Sequence, residues 1–377
     1  MSLVVTLAAR NLFQDRLRFS ATLIGIVFSV VLVMVQLGLY FGFGRMVTTM
    51  IDHAPADLWI VSKDTKSFED LSLLDTSLQN QVRSIDGVAE VIPVVIGFSD
   101  WRLPDGAMAP VFVVGSDIAA HGLAPWDLVQ GSVQALTAPG AVAIDKSYFG
   151  RLGVTGIGST AEIHGQKVTV AAVTQGIRSF TTTPYVFADL DHARAFIGLR
   201  PTKASHFMVR LKPGADAAKV AQTIQSRVSD VQAITPDQFR SRSRSFWLFG
   251  TGAGAALFGG ALLGVIVGTV IVAQTLYSST KDHLYEFATL RAIGCSQSYI
   301  FKVIISQALL NAVVGFTIAA VIGLLVVAFT ASSALPIVIT PLLGVGLFVL
   351  TAVMCVASAI VSIVRVIRTD PVMVLTR

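Results

Sequence analysis

Two long uncharged runs limit what this chain can fold into. No charged residue occurs from Ser245 to Thr280 or from Val303 to Val364, which are stretches of 36 and 62 residues in a chain of 377. About 20 apolar residues are enough to cross the hydrocarbon core of a bilayer as a helix. Because 53% of the residues are hydrophobic and only 14% are charged, the composition excludes a wholly soluble enzyme, a disordered chain and a disulfide-built secreted module.

The uncharged runs predict four transmembrane helices. A further run, residues 19–44, suits a single tilted helix, and its end lacks the cleavage pattern of a signal peptide, so we expect it to be retained. The 62-residue run is too long for one crossing and must turn back. Serines and prolines at residues 331–341 mark that outer turn. The predicted spans are residues 19–44, 245–280, with its centre at 253–276, 303–330 and 342–364.

Lysine and arginine residues are concentrated in the short segments between the predicted spans. Residues 1–18, 281–302 and 365–377 together hold nine Lys and Arg against four Asp and Glu, whereas residues 45–244 hold nineteen of each. The positive-inside rule places the three short segments, including a predicted amphipathic helix at 1–18, in the cytoplasm with both termini. This topology explains the sequence pI of 9.3, so nucleic-acid binding is an unneeded hypothesis.

The segment 45–244 has the mixed pattern of an α+β domain. Residues 57–61 and 88–96 are predicted strands flanking a helix at 76–85, and residues further along repeat this order. The second unit has strands at 207–211 and 231–235 around a helix at 216–228. A β-rich insert separates the two units, with a strand at 141–144 and a hairpin at 161–173 that turns at Gly165. We therefore predict an α-helical membrane protein with four transmembrane helices plus an α+β extracytoplasmic domain, in two lobes, between helices 1 and 2.

No residue pattern in the chain indicates catalysis or metal binding. The six histidines are too far apart for a zinc motif, and no serine or cysteine has the context of a nucleophile. Glu69 and Asp70 are predicted to lie in a solvated loop. The glycine-rich run 250–254 lacks the lysine of a phosphate loop, so we expect no cofactor in this chain. The histidines are His53, His121, His164, His192, His206 and His283.

Glycines recur at every fourth residue in the second predicted span, at Gly260, Gly264 and Gly268. This spacing puts three hydrogens in place of side chains on one helix face and predicts a close helix contact, for which a second copy of the chain is the expected partner. General glycine abundance in membrane helices is the alternative. The predicted spans contain none of the ionisable residues on which secondary transporters depend, so energy must come from elsewhere. The polar candidates inside them, interpreted as interhelical hydrogen-bonding groups, are Gln36, Gln274, Gln307 and Asn311.

The segment 281–302, between the second and third spans, is predicted to form a charged amphipathic helix. Leu284, Phe287, Ala288 and Arg291 recur at helical spacing before Gly294 ends the pattern. Such a helix could lie on the lipid surface or dock into a groove on a soluble partner. Composition alone does not choose between them.

Three segments resemble ABC transporter permeases of the MacB/FtsX type. Glu286–Gly294 is similar to the signature E-x-A-x-L-R-A-x-G that follows the second span, and Arg368–Leu375 resembles the terminal D-P-x-x-A-L-R, with Val374 where alanine is usual. Residues 7–19, 25–26 and 35–38 look like the narrower DevC-like subgroup. The order of one span, a large outer domain and three further spans agrees with this resemblance.

The resemblance implies a non-enzymatic permease subunit of the bacterial inner membrane. Such a permease forms a homodimer and pairs with a separate ATPase, which binds the ATP and magnesium. ATP-driven motion would pass through residues 281–294 to the outer domain, and DevC-like relatives export glycolipids or other amphiphiles with a periplasmic adaptor and an outer-membrane channel. A regulator of a cell-wall hydrolase, as in FtsX-like relatives, is the alternative. The implied ATPase-coupling residues are Tyr285, Glu286, Phe287, Leu290, Arg291 and Gly294.

Overall fold

The computed structural model describes residues 16–282, 296–330 and 337–367, and these contain ten α-helices and twelve β-strands. The helices are α1 (Arg16–Met46), α2 (Thr49–Asp52), α3 (Ser77–Arg83), α4 (Phe149–Leu152), α5 (Leu190–Phe196), α6 (Ala217–Arg227), α7 (Pro236–Ser245), α8 (Ala253–Asp282), α9 (Gln297–Thr330) and α10 (Pro341–Ile367). The strands are β1 (Leu58–Ser62), β2 (Leu74–Asp75), β3 (Val88–Arg102), β4 (Met108–Ser116), β5 (Leu128–Gln130), β6 (Ala141–Asp145), β7 (Thr160–Ile163), β8 (Gln166–Thr174), β9 (Tyr185–Asp189), β10 (Lys203–Ala204), β11 (His206–Leu211) and β12 (Val231–Ile234).

Four of the helices are long and apolar enough to cross a membrane, namely α1, α8, α9 and α10. Their apolar segments are Phe19–Met46, Ala253–Thr275, Phe301–Thr330 and Pro341–Ile360. The prediction of four membrane helices with an α+β domain between the first and second is therefore confirmed. Proline stands at the first position of α10, where its missing N–H costs nothing.

The second and third long helices begin at residues other than the first residues of the predicted segments. Helix α8 begins at Ala253, which agrees with the expected span 253–276 and lies eight residues after the start of the wider segment 245–280, because a π-helical turn at Phe246–Gly250 and a left-handed Gly252, with φ of 77°, precede it. Helix α9 begins at Gln297, so the end of the predicted segment 281–302 is part of the third long helix. Residues 1–15, which include most of the predicted N-terminal helix, lie outside the described residues.

Helix α1 is the centre of the helical unit, which is formed by the residues before Phe43 and after Ala253. In its most apolar window 44% of the residues are buried, against 22–33% in the other three helices. Ile26 and Met34 approach Gly315 and Gly323 of α9, where any larger side chain would collide with them. Small residues on α9 therefore let the two helices pack closely without charged groups.

The outer unit, Phe43–Ala253, is built on a sheet in which the two predicted strand-helix-strand units interleave. The strand order β12, β1, β11, β3 is antiparallel throughout, so each unit places one of its strands between the two strands of the other. This is the split β-α-β arrangement of ferredoxin-like folds. Val82 of α3 and Ile224 of α6 are buried in one apolar cluster with strand residues such as Leu58 and Val209.

The predicted β-rich insert forms a second lobe, and the two lobes share β3. This strand is 15 residues long; its first part pairs with β11, while its later residues pair with β4 and β7. Pairing then continues from β4 through β9, β6 and β8 back to β7, which closes a six-stranded barrel. Trp101 is buried there and donates its indole N–H to the carbonyl oxygen of Leu152 at 3.0 Å. The hairpin turns at Gly165 as predicted.

Candidate functional site

All six predicted ATPase-coupling residues lie outside the described residues. Helix α8 ends at Asp282 and α9 begins at Gln297, and the segment 283–295 between them carries the whole signature. Their assignment to an ATPase contact therefore stays a prediction. The residues concerned are Tyr285, Glu286, Phe287, Leu290, Arg291 and Gly294.

The glycine stripe of α8 packs against α1 of the same chain. A β-carbon on Gly260 would lie 2.7 Å from Nε2 of Gln36, and one on Gly264 would lie 2.9 Å from Cγ2 of Val33. At Gly268 it would collide with Ser29. A second copy of the chain cannot use this face while α1 covers it, so the stripe serves packing within the chain.

Hydrogen bonds inside the helical unit join α8 to α1 and to α10. The hydroxyl of Ser29 donates to the carbonyl oxygen of Gly264 at 2.7 Å, and the hydroxyl of Ser358 donates to that of Thr269 at 3.0 Å. Among the four polar candidates, Asn311 and Gln307 are buried, Gln36 contacts α8 and Gln274 is exposed. Among the described residues, Ser29 and Ser358 therefore form hydrogen bonds between helices, whereas Oδ1 of the buried Asn311 accepts none.

The outer unit has a junction where the chain arrives from α1 and leaves towards α8. Nε of Arg244, the penultimate residue of α7, donates to the carbonyl oxygen of Gly44 at 3.0 Å, and its Nη2 donates to Oγ1 of Thr48 at 3.4 Å. Thr48 donates in turn to Asp52 at 2.8 Å, and Asp52 also pairs with Arg240 of α7. Arg244 thereby caps a free carbonyl near the end of α1, where a cation is also favoured by the helix dipole.

The local sequence explains why α7 is available for this role. The side chain of Thr235 accepts from the backbone N–H of Gln238, and the side chain of Gln238 accepts from the backbone N–H of Thr235. These two bonds form a capping box, with Pro236 at the first helical position. A π-helical turn, Phe246–Gly250, follows α7 and separates it from α8. Short π-helical segments of this kind are frequent at functional positions.

Residues 63–73, here called the strap, connect the outer sheet to this junction. Phe68 of the strap is completely buried beside Trp59 of β1 and Phe239 of α7. Its carbonyl oxygen lies 2.9 Å from Nε2 of His206 on β11, and its backbone N–H donates to Oγ of Ser243 on α7 at 3.2 Å. The strap is therefore fixed at one point to both the sheet and α7.

Glu69 follows Phe68 directly and contacts the segment that leads into α8. The indole N–H of Trp247, within the π-helical turn, donates to Oε2 of Glu69 at 3.0 Å. Trp247 packs edge-on against Phe180, whose ring also meets Phe43 near the end of α1. Although the residue as a whole is partly exposed, burial of its carboxyl raises the pKa of Glu69 to about 7.

Sequence reasoning placed Glu69 in a solvated loop, and this prediction is wrong. Asp70 is bonded by Ser72 and the backbone of Lys66 at the surface, as a solvated carboxylate would be. Glu69 instead lies against an indole contributed from 178 residues away in the sequence. The neighbouring Phe68, an aromatic residue within a polar segment, was the available signal that the loop is anchored in the core.

Within the described part of the chain, no group of three or more His, Cys, Asp or Glu residues could hold a metal ion. The interactions described above are hydrogen bonds and aromatic contacts within the outer unit, and they join residues 43–48 to α7, the strap and Trp247. Four long apolar helices with a large α+β domain between the first two have the architecture of a membrane permease.

Family comparisons agree with this architecture and make it specific. Residues 19–227 match the MacB-like periplasmic core domain, and residues 258–371 match the FtsX-like permease C-terminal domain. The chain belongs to the MacB/FtsX-type family of ABC transporter permeases. Proteins of this family are the permease components of such transporters, and in general they dimerise and work with an ABC ATPase. No curated protein sequence matches the chain significantly.

Three solved structures are similar to the outer part of the chain. The periplasmic region of MacB from Actinobacillus actinomycetemcomitans is 12% identical, with a TM-score of 0.39, over 51% of this chain and 94% of that one. The extracellular domain of the ABC-type transporter YknZ from Gram-positive bacteria is 14% identical, with a TM-score of 0.36, over 48% and 99%. A domain of a putative permease protein from Porphyromonas gingivalis is 14% identical, with a TM-score of 0.34, over 50% and 91%.

Proposed function

We propose that this chain is the permease subunit of an ABC exporter in the bacterial inner membrane. ATP-driven motion of a separate ATPase is transmitted through residues 281–294 and the membrane helices to the outer domain, where it drives efflux of an amphiphile such as a glycolipid or a drug. ATP and magnesium are bound by the ATPase. A second copy of the chain completes the permease, and both termini lie in the cytoplasm.

The observation that carries this proposal is the junction formed by Arg244, Gly44 and Thr48. It joins the end of the first membrane helix to the helix that precedes the second one, within the outer unit. Closely packed elements move as rigid bodies, so a displacement of these helix ends has to displace α7 and the strap. The uncharged runs 245–280 and 303–364 supply no ion-binding residues as an alternative source of energy.

Association with the ATPase is tested by reversing the charge of Arg291. Arg291→Glu is expected to abolish co-purification of the ATPase and permease-stimulated ATP hydrolysis, because it places an acid in the centre of the coupling signature. Lys219→Glu, at an exposed position of α6, serves as the matched control and should change neither. Intact association and stimulation in Arg291→Glu would show that the coupling assignment is wrong.

The membrane orientation has an independent test. Cys355 is buried in the helical unit, so Cys295 is the cysteine to label in the native chain. A membrane-impermeant maleimide is expected to modify Cys295 only from the cytoplasmic side, in inside-out vesicles. Modification in intact cells with a permeabilised outer membrane would contradict the topology.

Cargo export in a DevC-like manner requires a periplasmic adaptor and an outer-membrane channel as partners. The FtsX-like match over residues 258–371 also favours a second candidate, a transmembrane regulator that activates a cell-wall hydrolase. The two differ in their neighbouring genes: an adaptor gene beside the ATPase gene supports export, and a hydrolase gene supports regulation. Deletion would correspondingly raise sensitivity to amphiphiles or impair cell-wall cleavage.

A further inference from the structure

The strap lies in a continuous chain of contacts from the outer sheet to both membrane-proximal segments. His206 and Ser243 hold the backbone of Phe68, the next residue Glu69 contacts Trp247, and Trp247 belongs to an apolar cluster with Met46. Glu69 is the one member of this series whose side chain can change charge near neutral pH. Glu69 and Trp247 come from segments that are far apart in sequence. The hydrogen bond between them can therefore open without breaking a helix or a strand.

Two opposing effects act on the carboxyl of Glu69. Hydrogen bonds from the Trp247 indole, the backbone and Ser67 favour the charged form, whereas burial favours the neutral form. Burial is the larger effect, because the pKa is raised from 4.5 to about 7. Ionisation therefore weakens the closed arrangement relative to one in which water solvates the carboxylate.

We propose that the Glu69–Trp247 hydrogen bond is a proton-dependent latch, closed when Glu69 is neutral, that holds the segment leading into α8 to the outer domain. Glu69 is a positioning residue in this scheme: it acts through Trp247 and touches no cargo. Its place in transmission rests on the proposed exporter function, but the latch itself is a property of the outer domain. Proton occupancy would then set how firmly helix motion is passed to the sheet.

Other titratable groups around the strap have defined states or partners. Burial and the nearby Glu69 raise the pKa of Tyr185 on β9 well above its usual value, and burial lowers the pKa of His206 to about 4, so both are neutral near pH 7. Lys66 lies over the ring of Phe246. The remaining charged groups on the strap, on α7 and in residues 178–189 are Lys63, Asp64, Asp70, Arg178, Asp189, Asp237, Arg240, Arg242 and Arg244.

Hydrogen exchange of the full chain in nanodiscs tests the latch without the ATPase. At about pH 9 the strap and residues 246–250 of the native chain should exchange at least about tenfold faster than in Glu69→Gln, because the amide stays neutral and still accepts from the indole. At about pH 5.5 the two proteins should exchange equally. Glu69→Ala, which lacks the acceptor, should exchange fast at both values.

Comparison at equal pH removes the intrinsic pH dependence of amide exchange. Equal rates in the native chain and Glu69→Gln at about pH 9, or a slow Glu69→Ala, would overturn the latch. A second measurement needs no Glu69 variant: fluorotryptophan ¹⁹F spectra of the native chain, assigned with Trp247→Phe, should show the Trp247 resonance titrating with a midpoint near 7. A resonance that does not titrate would also overturn it. Neither result depends on whether the chain exports anything.

Discussion

Nε2 of His206 lies 2.9 Å from the carbonyl oxygen of Phe68, 138 residues away in sequence. A carbonyl oxygen can only accept, so Nε2 carries the proton and the neutral imidazole donates. The ring is completely buried, between Trp59 and Phe239. His206, a residue of the central sheet, therefore fixes the strap in place. Protonation of this buried imidazole lowers the free energy of unfolding of the outer domain.

Acid is expected to destabilise the outer domain through His206. Burial lowers the pKa of His206 from 6.5 to about 4, so the unfolded chain binds this proton more readily than the folded one. The stability is complete above about pH 6.5 and is lost as the pH falls towards 4, by up to about 3 kcal/mol. All four tryptophans, Trp59, Trp101, Trp126 and Trp247, lie in the outer unit, so urea unfolding followed by their fluorescence measures it.

His206→Gln keeps a donor towards Phe68 but cannot titrate, and should lose this part of the acid sensitivity. His53→Gln, at an exposed histidine, is the control and should keep it. Glu69 contributes in the opposite direction. Because its pKa is raised in the folded state, its contribution to folding stability is complete at low pH and is lost as the pH rises from 4.5 to about 7. Because the two contributions offset each other in the native chain, the measured quantity is the difference between His206→Gln and the native chain. This difference should shift in favour of His206→Gln as the pH falls from 6.5 towards 4, and a difference that does not change with pH would refute the prediction.

Adding one methyl group to Gly268 should weaken the contact between α1 and α8. The new β-carbon would collide with Ser29, whose hydroxyl is bonded to Gly264, and overpacking of this kind costs about 1–3 kcal/mol. Gly259→Ala is the matched control, because no atom lies within 4 Å of its β-carbon position. Unfolding of the purified chain in mixed micelles should begin at a lower denaturant concentration only for Gly268→Ala.

Removing the guanidinium of Arg244 should loosen the junction. Arg244→Ala leaves the buried Gly44 carbonyl and Thr48 without that donor, at a cost of about 1–2 kcal/mol. Amides of residues 44–52 should exchange roughly tenfold faster, whereas the barrel strands should not change. Arg83→Ala, an exposed arginine at the end of α3, should leave both regions as they are; equal protection in the two variants would contradict the assignment.

Trp101→Phe should destabilise the barrel lobe. The substitution leaves the carbonyl oxygen of Leu152 without its buried donor, which costs about 1–3 kcal/mol. Trp126→Phe is the control, because the indole nitrogen of Trp126 makes no hydrogen bond with a described residue and the ring is only partly buried. Thermal unfolding followed by circular dichroism should show a lower midpoint for Trp101→Phe alone.

Hydrophobic periodicity and turn residues were enough to locate the elements of the outer domain. Residues 57–61, 76–85 and 216–228 were predicted with the correct type because their patterns are local. The interleaving of the two units could not be foreseen, since strand neighbours are set by contacts between distant segments. The sequence also did not predict that both lobes share β3, because its partners β7 and β11 are distant in sequence. Only the first part of this strand, residues 88–96, was predicted.

The candidate site was less accessible to sequence reasoning than the fold. The stripe of Gly260, Gly264 and Gly268 indicated a close helix contact, but spacing cannot say which helix lies opposite. Glu69 and Arg244 resemble ordinary surface charges in a sequence, and their partners Trp247 and Gly44 are far away along the chain. Burial and long-range pairing, which are properties of the folded chain, give these residues their roles.

The alternation of strands in the order β12, β1, β11, β3 has a consequence for biogenesis. Both hydrogen-bonding partners of β1, the strands β11 and β12, come from the second unit. Both edges of β1 therefore stay unpaired until more than a hundred further residues have been secreted. The barrel can close first as a local unit. The outer domain is completed only after residue 234 has crossed the bilayer, when secretion of the segment is almost finished.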